Sequence, residues 1–407
     1  MKEYFRLAWR NIWRNKRRTA ITMASIFFAM FFALVMRSMQ LGTYGHAITG
    51  VVENFTGYIQ VHKSGYWDEQ IIDNVMFIPD STILGISALT DVSAVLPRLS
   101  SYALAATNEV TKPVMVMGMD QKAEQQMSKP EEKIVRGKIF AAGTNGALIG
   151  VDLAEYLKVD IGDTVTLIGQ GYHGNSAAGL FPVTGIVSFP NPEMNRRIVM
   201  IDLQSAQDFY STGSGVSSIL INLHNSESME SVALALKEML DPNEYEVMTW
   251  REISPELVQQ IESDQAGGFI VLLILYLVVG FGVFGTLIMM TAERKREFGV
   301  MVAVGMQKWR LAIVLTIEML FMGLIGILSG IAGSIPVIYI MHRNPLRFGG
   351  EIGDMMADFG YEAIMPFAWQ SDFFFGQALV VVVIFIIAIL YPVYSTTKLK
   401  VIKALKA

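Results

Sequence analysis

The chain has 407 residues, of which 52% are hydrophobic and 17% charged, and its formal net charge is −5. The slightly acidic balance argues against nucleic-acid binding, and the absence of cysteine excludes disulfides and thiolate metal sites. The apolar residues are clustered, which is typical of a membrane protein that carries a large water-exposed part.

The chain opens with an amphipathic segment and the first of four long apolar stretches. In residues 1–18, aromatic side chains and arginines recur at helical spacing, which predicts an interfacial elbow helix on the membrane surface. Residues 19–41 are long enough to cross a bilayer, and so are residues 269–291, 311–341 and 373–396. A signal peptide is the alternative for the first stretch, but its apolar part is too long and no small-residue cleavage pattern follows it.

Basic residues predict which side of the membrane each loop occupies. Seven lysines and arginines precede the first span and four lysines follow the fourth, so both termini are predicted to be cytoplasmic. The charged loop 292–310 and the tail 397–407 then lie inside. The acidic loop 342–372 and the long segment 42–268 lie outside.

Segment 42–268 has the mixed pattern of an α/β domain. Alternating or apolar runs predict strands at 58–62, 113–118, 147–150, 164–168, 181–187 and 197–201. Helices are predicted at 152–157, 203–210, 226–240 and 254–264. The expected fold class is an α-helical membrane protein with four transmembrane helices and a large mixed α/β periplasmic domain inserted between helices 1 and 2.

The glycine-rich stretch Gly169–Ser176 nearly spells a phosphate-binding loop, but Asn175 replaces the lysine and a β-hairpin loop explains the glycines better. The five histidines lack the spacing of metal ligands on a helix, and no nucleophile motif is present. We therefore expect no catalytic, metal or cofactor site in this chain. The chain therefore contains no ATPase of its own, and its energy must come from a separate subunit.

Within the spans, Arg37 and Glu318 would each cost about 2.5–3.5 kcal/mol at a helix centre. Arg37 lies near the outer end of its span and can reach the interface. Glu318 is predicted to make a polar contact with a neighbouring helix or subunit, in a structural role. Glycines at 280, 282 and 285 in the second span, and at 323, 326, 330 and 333 in the third, predict close helix packing.

An aromatic face on the first span is the candidate substrate entrance, and it comprises Phe27, Phe28, Phe31 and Phe32. Large apolar rings suit a lateral opening for acyl chains, and Met30 and Met36 would make that opening adaptable. Simple lipid contact is the alternative for this face.

Three segments resemble the permease subunits of type VII ABC transporters. Residues 8–19 resemble the family's N-terminal elbow, residues 293–306 its coupling helix, and residues 391–405 its C-terminal end. The order of one span, a large outside domain and three further spans is also that of the family. Residues 56–67 resemble the start of the periplasmic domain in its lipoprotein-releasing branch, beside which stand a macrolide- and peptide-exporting branch and a cell-division branch.

The resemblance implies mechanotransmission in a bacterial inner membrane. Two cytoplasmic ABC ATPase subunits would drive a dimer of permease chains, identical or paired with a paralogue. The transporter would release lipoproteins or other amphiphiles to a periplasmic carrier or adaptor. Alternatives are export of macrolide- or peptide-type amphiphiles, and a signalling scaffold that activates a periplasmic partner such as a cell-wall hydrolase. The residues expected to couple the permease to the ATPase are Glu293, Arg294, Lys295, Arg296, Glu297 and Gly299.

Overall fold

The computed structural model describes residues 2–14, 16–358 and 362–406. Asn15 of the predicted elbow and residues 359–361 of the predicted outer loop lie outside the described part, as do both terminal residues. The chain forms two compact units. One contains Met1–Gly45, Gln260–Leu346 and Met365–Ala407, and the other contains His46–Gln259 and Arg347–Ile364.

The described helices and strands have the following bounds. The α-helices are α1 (Lys2–Arg14), α2 (Lys16–Ile48), α3 (Tyr66–Glu69), α4 (Asp80–Ser87), α5 (Gln121–Met127), α6 (Val151–Leu157), α7 (Pro192–Arg197), α8 (Leu203–Tyr210), α9 (Met229–Met239), α10 (Trp250–Ile253), α11 (Pro255–Glu293), α12 (Lys295–Ala303), α13 (Lys308–Arg343), α14 (Gly350–Asp358), α15 (Asp372–Thr397) and α16 (Val401–Lys406). The strands are β1 (Ile59–Lys63), β2 (Val92–Ala106), β3 (Thr111–Met119), β4 (Ile134–Gly137), β5 (Ala147–Gly150), β6 (Thr164–Gln170), β7 (Ser176–Val187), β8 (Ile198–Asp202), β9 (Ser218–Leu223), β10 (Tyr245–Thr249), β11 (Leu346–Arg347) and β12 (Ile364–Met365). A π-helical turn, Thr49–Thr56, follows α2 directly.

Four described helices are long and apolar enough to cross a membrane: α2, α11, α13 and α15. Each contains one of the predicted spans and continues beyond it into polar sequence. The helix α11 begins with Pro255, which suits a first helical position because the N–H that proline lacks has no partner there. The predicted helix at 254–264 and the second span are thus one continuous helix.

Glycines in α13 let two other helices approach closely. A Cβ added to Gly326 would lie 2.7 Å from Cβ of Ile26 on α2, and one added to Gly323 would lie 2.3 Å from the ring of Phe385 on α15. Close packing is therefore confirmed for the third span. In the second span a Cβ added to Gly280 would lie 3.2 Å from Cγ2 of Ile384 on α15, whereas nothing lies within 4 Å of the Cβ positions of Gly282 and Gly285.

The α/β unit is built on one sheet with two parts, and the long strand β2 belongs to both of them. Within the described residues the order is β10-β1-β9-β2-β3-β8-β5-β7-β4, and β6 pairs with both β2 and β7. Strands β2, β3, β8, β5, β7 and β6 therefore close into a ring. The first half of β2 pairs with β9, and residues 104–106 pair with β6.

Each part of the sheet has its own apolar core. All six strands of the ring contribute buried side chains to one cluster, which includes Leu99, Val116, Ile149, Leu167, Phe181 and Val199. The other cluster packs α9 on β1, β9 and β10, and includes Ile59, Ile221, Val232, Leu236 and Val247. The side chains that reach these cores alternate along the strands. In β3, β5 and β8 the side chains between them, including Met117, Leu148 and Met200, are buried in a further cluster on the opposite face.

The near P-loop is the turn of a hairpin, as predicted. Strands β6 and β7 pair in antiparallel register from Thr164 with Pro182 to Gln170 with Ser176. His173 and Gly174 take positive φ values of 55° and 76° in the connecting turn. Such a turn needs glycine or a tolerant polar residue, which explains the composition of the stretch without a bound phosphate.

Candidate coupling site at the charged loop

The charged loop between α11 and α13 is a short helix with defined ends. Arg294 interrupts the helical path between α11 and α12, with φ −89° and ψ 2°. At the other end Gly305 has a φ of 111°. The N–H groups of Gly305 and Met306 donate to the carbonyls of Val302 and Met301, at 3.1 and 3.0 Å. This paired capping is the usual way in which a glycine ends a helix, so the sequence Val304-Gly305 fixes the length of α12.

Glu318 is the centre of a buried polar network. Its Oε1 accepts a hydrogen bond from Nη1 of Arg294 at 2.7 Å, and its Oε2 accepts one from Nδ2 of Asn11 at 3.3 Å. The side chain of Glu318 is 3% exposed and that of Arg294 is 10% exposed. The guanidinium of Arg294 also lies over the ring of Phe298, 5.2 Å from its centroid. Both carboxylate oxygens of Glu318 are therefore used, one by the charged loop and one by α1.

Two further ion pairs connect α1 and the start of α2 to the charged loop, one exposed and one partly buried. Arg14 pairs with Glu297, and Arg18 pairs with Glu293. The two arginines stand four residues apart, and so do the two glutamates. Sequence reasoning missed these pairs, because the partners are far apart in the chain: Arg14 and Glu297 are separated by 283 residues.

The residues expected to contact the ATPase divide between two faces of the loop. Arg294 is buried, and Glu293 and Glu297 face arginines of this chain. Lys295 and Arg296 are exposed, whereas Gly299 is buried. Val300 and Val304 are 48% and 85% exposed. One exposed stripe comprises Arg296, Val300 and Val304, which are spaced four residues apart. Because this outer stripe is exposed, a separate protein can contact it.

The inner face of α12 packs on the C-terminal end of the chain. Phe298, Leu399 and Ala404 are 1%, 5% and 0% exposed and belong to one apolar cluster. A cavity of about 450 Å³ lies beside this face, lined by α1, α12 and α13. Its walls include Leu7, Met301 and Leu315, with Arg14, Arg294, Glu297 and Glu318 at its polar side.

The four phenylalanines of the candidate entrance form a ladder with two sides. Phe27 stacks on Phe31 with their ring centroids 5.8 Å apart, and Phe28 stacks on Phe32 at 6.0 Å. Phe28 and Phe32 are 52% and 50% exposed. Phe27 instead packs against Gly333, whose added Cβ would lie 2.9 Å from its ring. Phe28 and Phe32 therefore form the more exposed side of the ladder, whereas Phe27 and Phe31 are partly buried.

Met30 does not lie beside an opening, contrary to expectation. It is 0% exposed, and a Cβ added to Gly330 would lie 2.7 Å from the Cβ of Met30. Because both groups are held in the contact between α2 and α13, Met30 cannot adapt to a varied substrate.

Comparisons with known proteins match both parts of the chain. Residues 19–239 match the MacB-like periplasmic core domain, and residues 269–401 match the FtsX-like permease C-terminal family. The lipoprotein-releasing system transmembrane protein LolC of Xylella fastidiosa is 22% identical over 330 residues, which cover 78% of this chain and 79% of that protein. The protein of the same name from Neisseria meningitidis is 22% identical over 249 residues, covering 59% of this chain and 60% of that protein. The periplasmic region of MacB from Actinobacillus actinomycetemcomitans is a solved structure with a TM-score of 0.35 and 15% identity, covering 53% of this chain and 95% of that one.

Proposed function

Because the chain belongs to the permeases of type VII ABC transporters, with a MacB-like periplasmic core and an FtsX-like C-terminal part, we propose that it converts ATP hydrolysis by a separate cytoplasmic subunit into movement of its periplasmic domain. The movement releases lipid-anchored proteins from the inner membrane to a periplasmic carrier. Two ATPase subunits bind ATP and Mg²⁺ and act on two permease chains.

The division of α12 into a fixed inner face and a free outer face is the observation that carries the proposal. The inner face is tied to Glu318 by Arg294, and the outer face exposes the stripe Arg296, Val300 and Val304. A cationic and apolar stripe beside a membrane is a suitable contact for a protein that must push on the permease, because an arginine can form charge-assisted hydrogen bonds with a partner carboxylate.

The proposed substrate class rests on the relatives and on the membrane-facing side chains. The relatives matched over most of the chain are named for lipoprotein release. Phe28 and Phe32 expose an apolar surface that suits acyl chains. On α11, Phe269, Val278 and Phe281 are 67%, 66% and 71% exposed, and lipid or a second permease chain would cover them.

Reconstitution tests the proposal. The permease and its ABC ATPase are placed in liposomes with a fluorescent triacylated lipoprotein, and ATP turnover and release to a soluble acceptor are measured. Arg296→Glu should lower permease-stimulated turnover at least roughly tenfold, within the range of typical coupling free energies. Lys400→Glu reverses another exposed cation, in the predicted cytoplasmic tail, and should leave turnover unchanged.

Two results would contradict the proposal. Normal turnover in Arg296→Glu would mean that the outer stripe does not contact the ATPase. ATP turnover without any release of lipoprotein would argue against transport of this substrate, and would favour export of another amphiphile or a signalling scaffold.

A further inference from the structure

The network around Glu318 joins three separate parts of the chain at one carboxylate. Arg294 comes from the interruption between α11 and α12, Asn11 comes from α1, and Glu318 comes from α13. A carboxylate that is 3% exposed is costly unless charged or polar groups satisfy it, so its partners must keep their positions. We infer that Arg294, Glu318 and Asn11 form a rigid joint that makes the elbow helix α1 move together with the coupling helix α12.

Apolar contacts one turn further along α13 support the joint. Phe321 follows Glu318 by three residues and therefore lies on the same face of the helix. Its ring meets the rings of Phe5 and Trp9 on α1 edge-on, with centroids 5.9 and 5.8 Å apart. Because α1 is held to α13 by both a polar and an aromatic contact, it cannot slide along α13 without losing both.

The ion pairs at the surface contribute little to the stability of the joint. Arg14–Glu297 and Arg18–Glu293 connect α1 and the start of α2 to the charged loop. In the first of these, the side chains are 56% and 49% exposed, and exposed pairs contribute little because water and salt screen them. The buried pair is therefore the one that holds the joint. Because Glu297 also lies 3.5 Å from Nε of Arg294, the pair of Arg18 with Glu293 is the control that leaves Arg294 untouched.

The consequence goes beyond the proposed function, on which it rests for its biological meaning. A displacement of α12 would be passed to α13 and to the elbow at once, and the elbow would act as part of the coupling device. Arg294, Glu318 and Asn11 are positioning residues in this account, because they act through α12 and touch neither ATP nor the substrate.

Distance measurements on the permease alone test the joint. The chain has no cysteine, so spin labels can be placed at Arg10→Cys on α1 and Ala303→Cys at the end of α12, both exposed positions. In lipid nanodiscs the parent protein should give one narrow distance distribution. Glu318→Gln and Arg294→Gln should broaden it, and the charge swap Arg294→Glu with Glu318→Arg should narrow it again. The surface variant Glu293→Gln, whose carboxylate pairs with Arg18, should change it much less.

Two results of the distance measurements would overturn the inferred joint. A distribution that stays narrow in Glu318→Gln would overturn the joint, and so would a broadened one that the charge swap fails to restore. ATP turnover of the complex with the ATPase is measured on the same variants, and Glu318→Gln should lower stimulation by roughly tenfold or more. A restored distance together with unchanged turnover in Glu318→Gln would leave the joint standing and would count against the coupling function proposed above.

Discussion

Replacing Arg98 with methionine should severely weaken the α/β unit, because this arginine neutralises a buried carboxylate. Arg98 and Glu124 are 2% and 1% exposed. Nη2 of Arg98 donates to Oε2 of Glu124 at 2.8 Å, Nε donates to the other carboxylate oxygen, and Nη1 donates to the carbonyl of Phe55. The hydroxyl of Ser128 also donates to Glu124, at 2.6 Å.

Because of the position of Arg98 in the sheet, replacing it should also destabilise the neighbouring strands. Arg98 pairs with Ser218 of β9 on one side and with Met119 of β3 on the other. It therefore stands where β2 passes from one part of the sheet to the closed ring. Through Phe55 it also holds the π-helical turn that follows α2.

The expected magnitude follows from the burial of the pair. Removing one partner of a buried ion pair costs about 3–5 kcal/mol, because the remaining charge stays buried without compensation. Arg98→Met should cost about this much, and Glu124→Gln should cost less because an amide can still accept a hydrogen bond. The double variant Arg98→Met with Glu124→Leu should recover most of the loss, since apolar replacement of a whole buried pair is often neutral.

Hydrogen exchange on the full chain in nanodiscs measures this effect. Amides of β2 and β3 should exchange roughly two to four powers of ten faster in Arg98→Met, at about 1.4 kcal/mol for each factor of ten.

Burial, together with the nearby charge of Arg98, lowers the pKa of Lys133 to about 8. That pKa should therefore rise in the variant, as followed by NMR of methylated lysine. Unchanged exchange in Arg98→Met, or a double variant as damaged as the single one, would refute the reasoning.

Three further predictions concern other parts of the chain. His62 is 1% exposed and burial lowers its pKa below 6.5, so below pH 6.5 the imidazole is protonated in the unfolded chain before it is protonated in the folded one. As the pH is lowered below 6.5, the free energy that protects the amides of β1 from exchange should therefore decrease by at most about 1.4 kcal/mol per pH unit. A pH-independent difference in protection between His62→Phe and the parent would contradict this. Gly330→Leu should loosen the contact of α2 with α13, seen as a lower melting temperature in detergent, whereas Gly282→Leu at an open position should not. Phe28→Asp should stop lipoprotein release while basal ATP hydrolysis continues, and normal release in this variant would remove the exposed side of the ladder from the entrance.

Strands with a clear local pattern were predictable from the sequence. The predicted strand at 58–62 is β1 at Ile59–Lys63, and those at 147–150 and 164–168 lie within one or two residues of β5 and β6. In each, apolar residues alternate or form a short run between turn residues, so local sequence and the final environment agree. The amphipathic helix predicted at 226–240 appears as α9 for the same reason.

The longest strand, β2, could not be predicted in this way. Its 15 residues include Pro97, Arg98 and two consecutive serines, which interrupt the alternation expected of a strand. Pairing with β3, β6 and β9 stabilises it, and such partners are distant in sequence, so tertiary contacts outweigh the weak local preference. The start of α10 was also not predicted, although Thr249 and Glu252 form a capping box there, and that motif has a recognisable sequence pattern.

In the charged loop, too, some features depend on the local sequence and others depend on residues that are distant in the chain. Its length, charge and helical character follow from the sequence 293–306, including the glycine that ends α12. The burial of Arg294 does not, because a cation in a membrane-flanking loop would ordinarily face water or lipid headgroups. Its environment depends on a glutamate in α13 and an asparagine in α1, and neither is near it in the chain.

The two faces of α12 explain why a single short helix can serve as a coupling element. A push on a helix is transmitted only if the helix cannot yield at its base. The inner positions Arg294 and Phe298 are one helical turn apart, and both are buried. The outer positions Arg296 and Val300 have the same spacing and are exposed. The sequence of α12 therefore places a fixed base and a free contact surface on opposite sides of one helix, as transfer of force from a separate subunit requires.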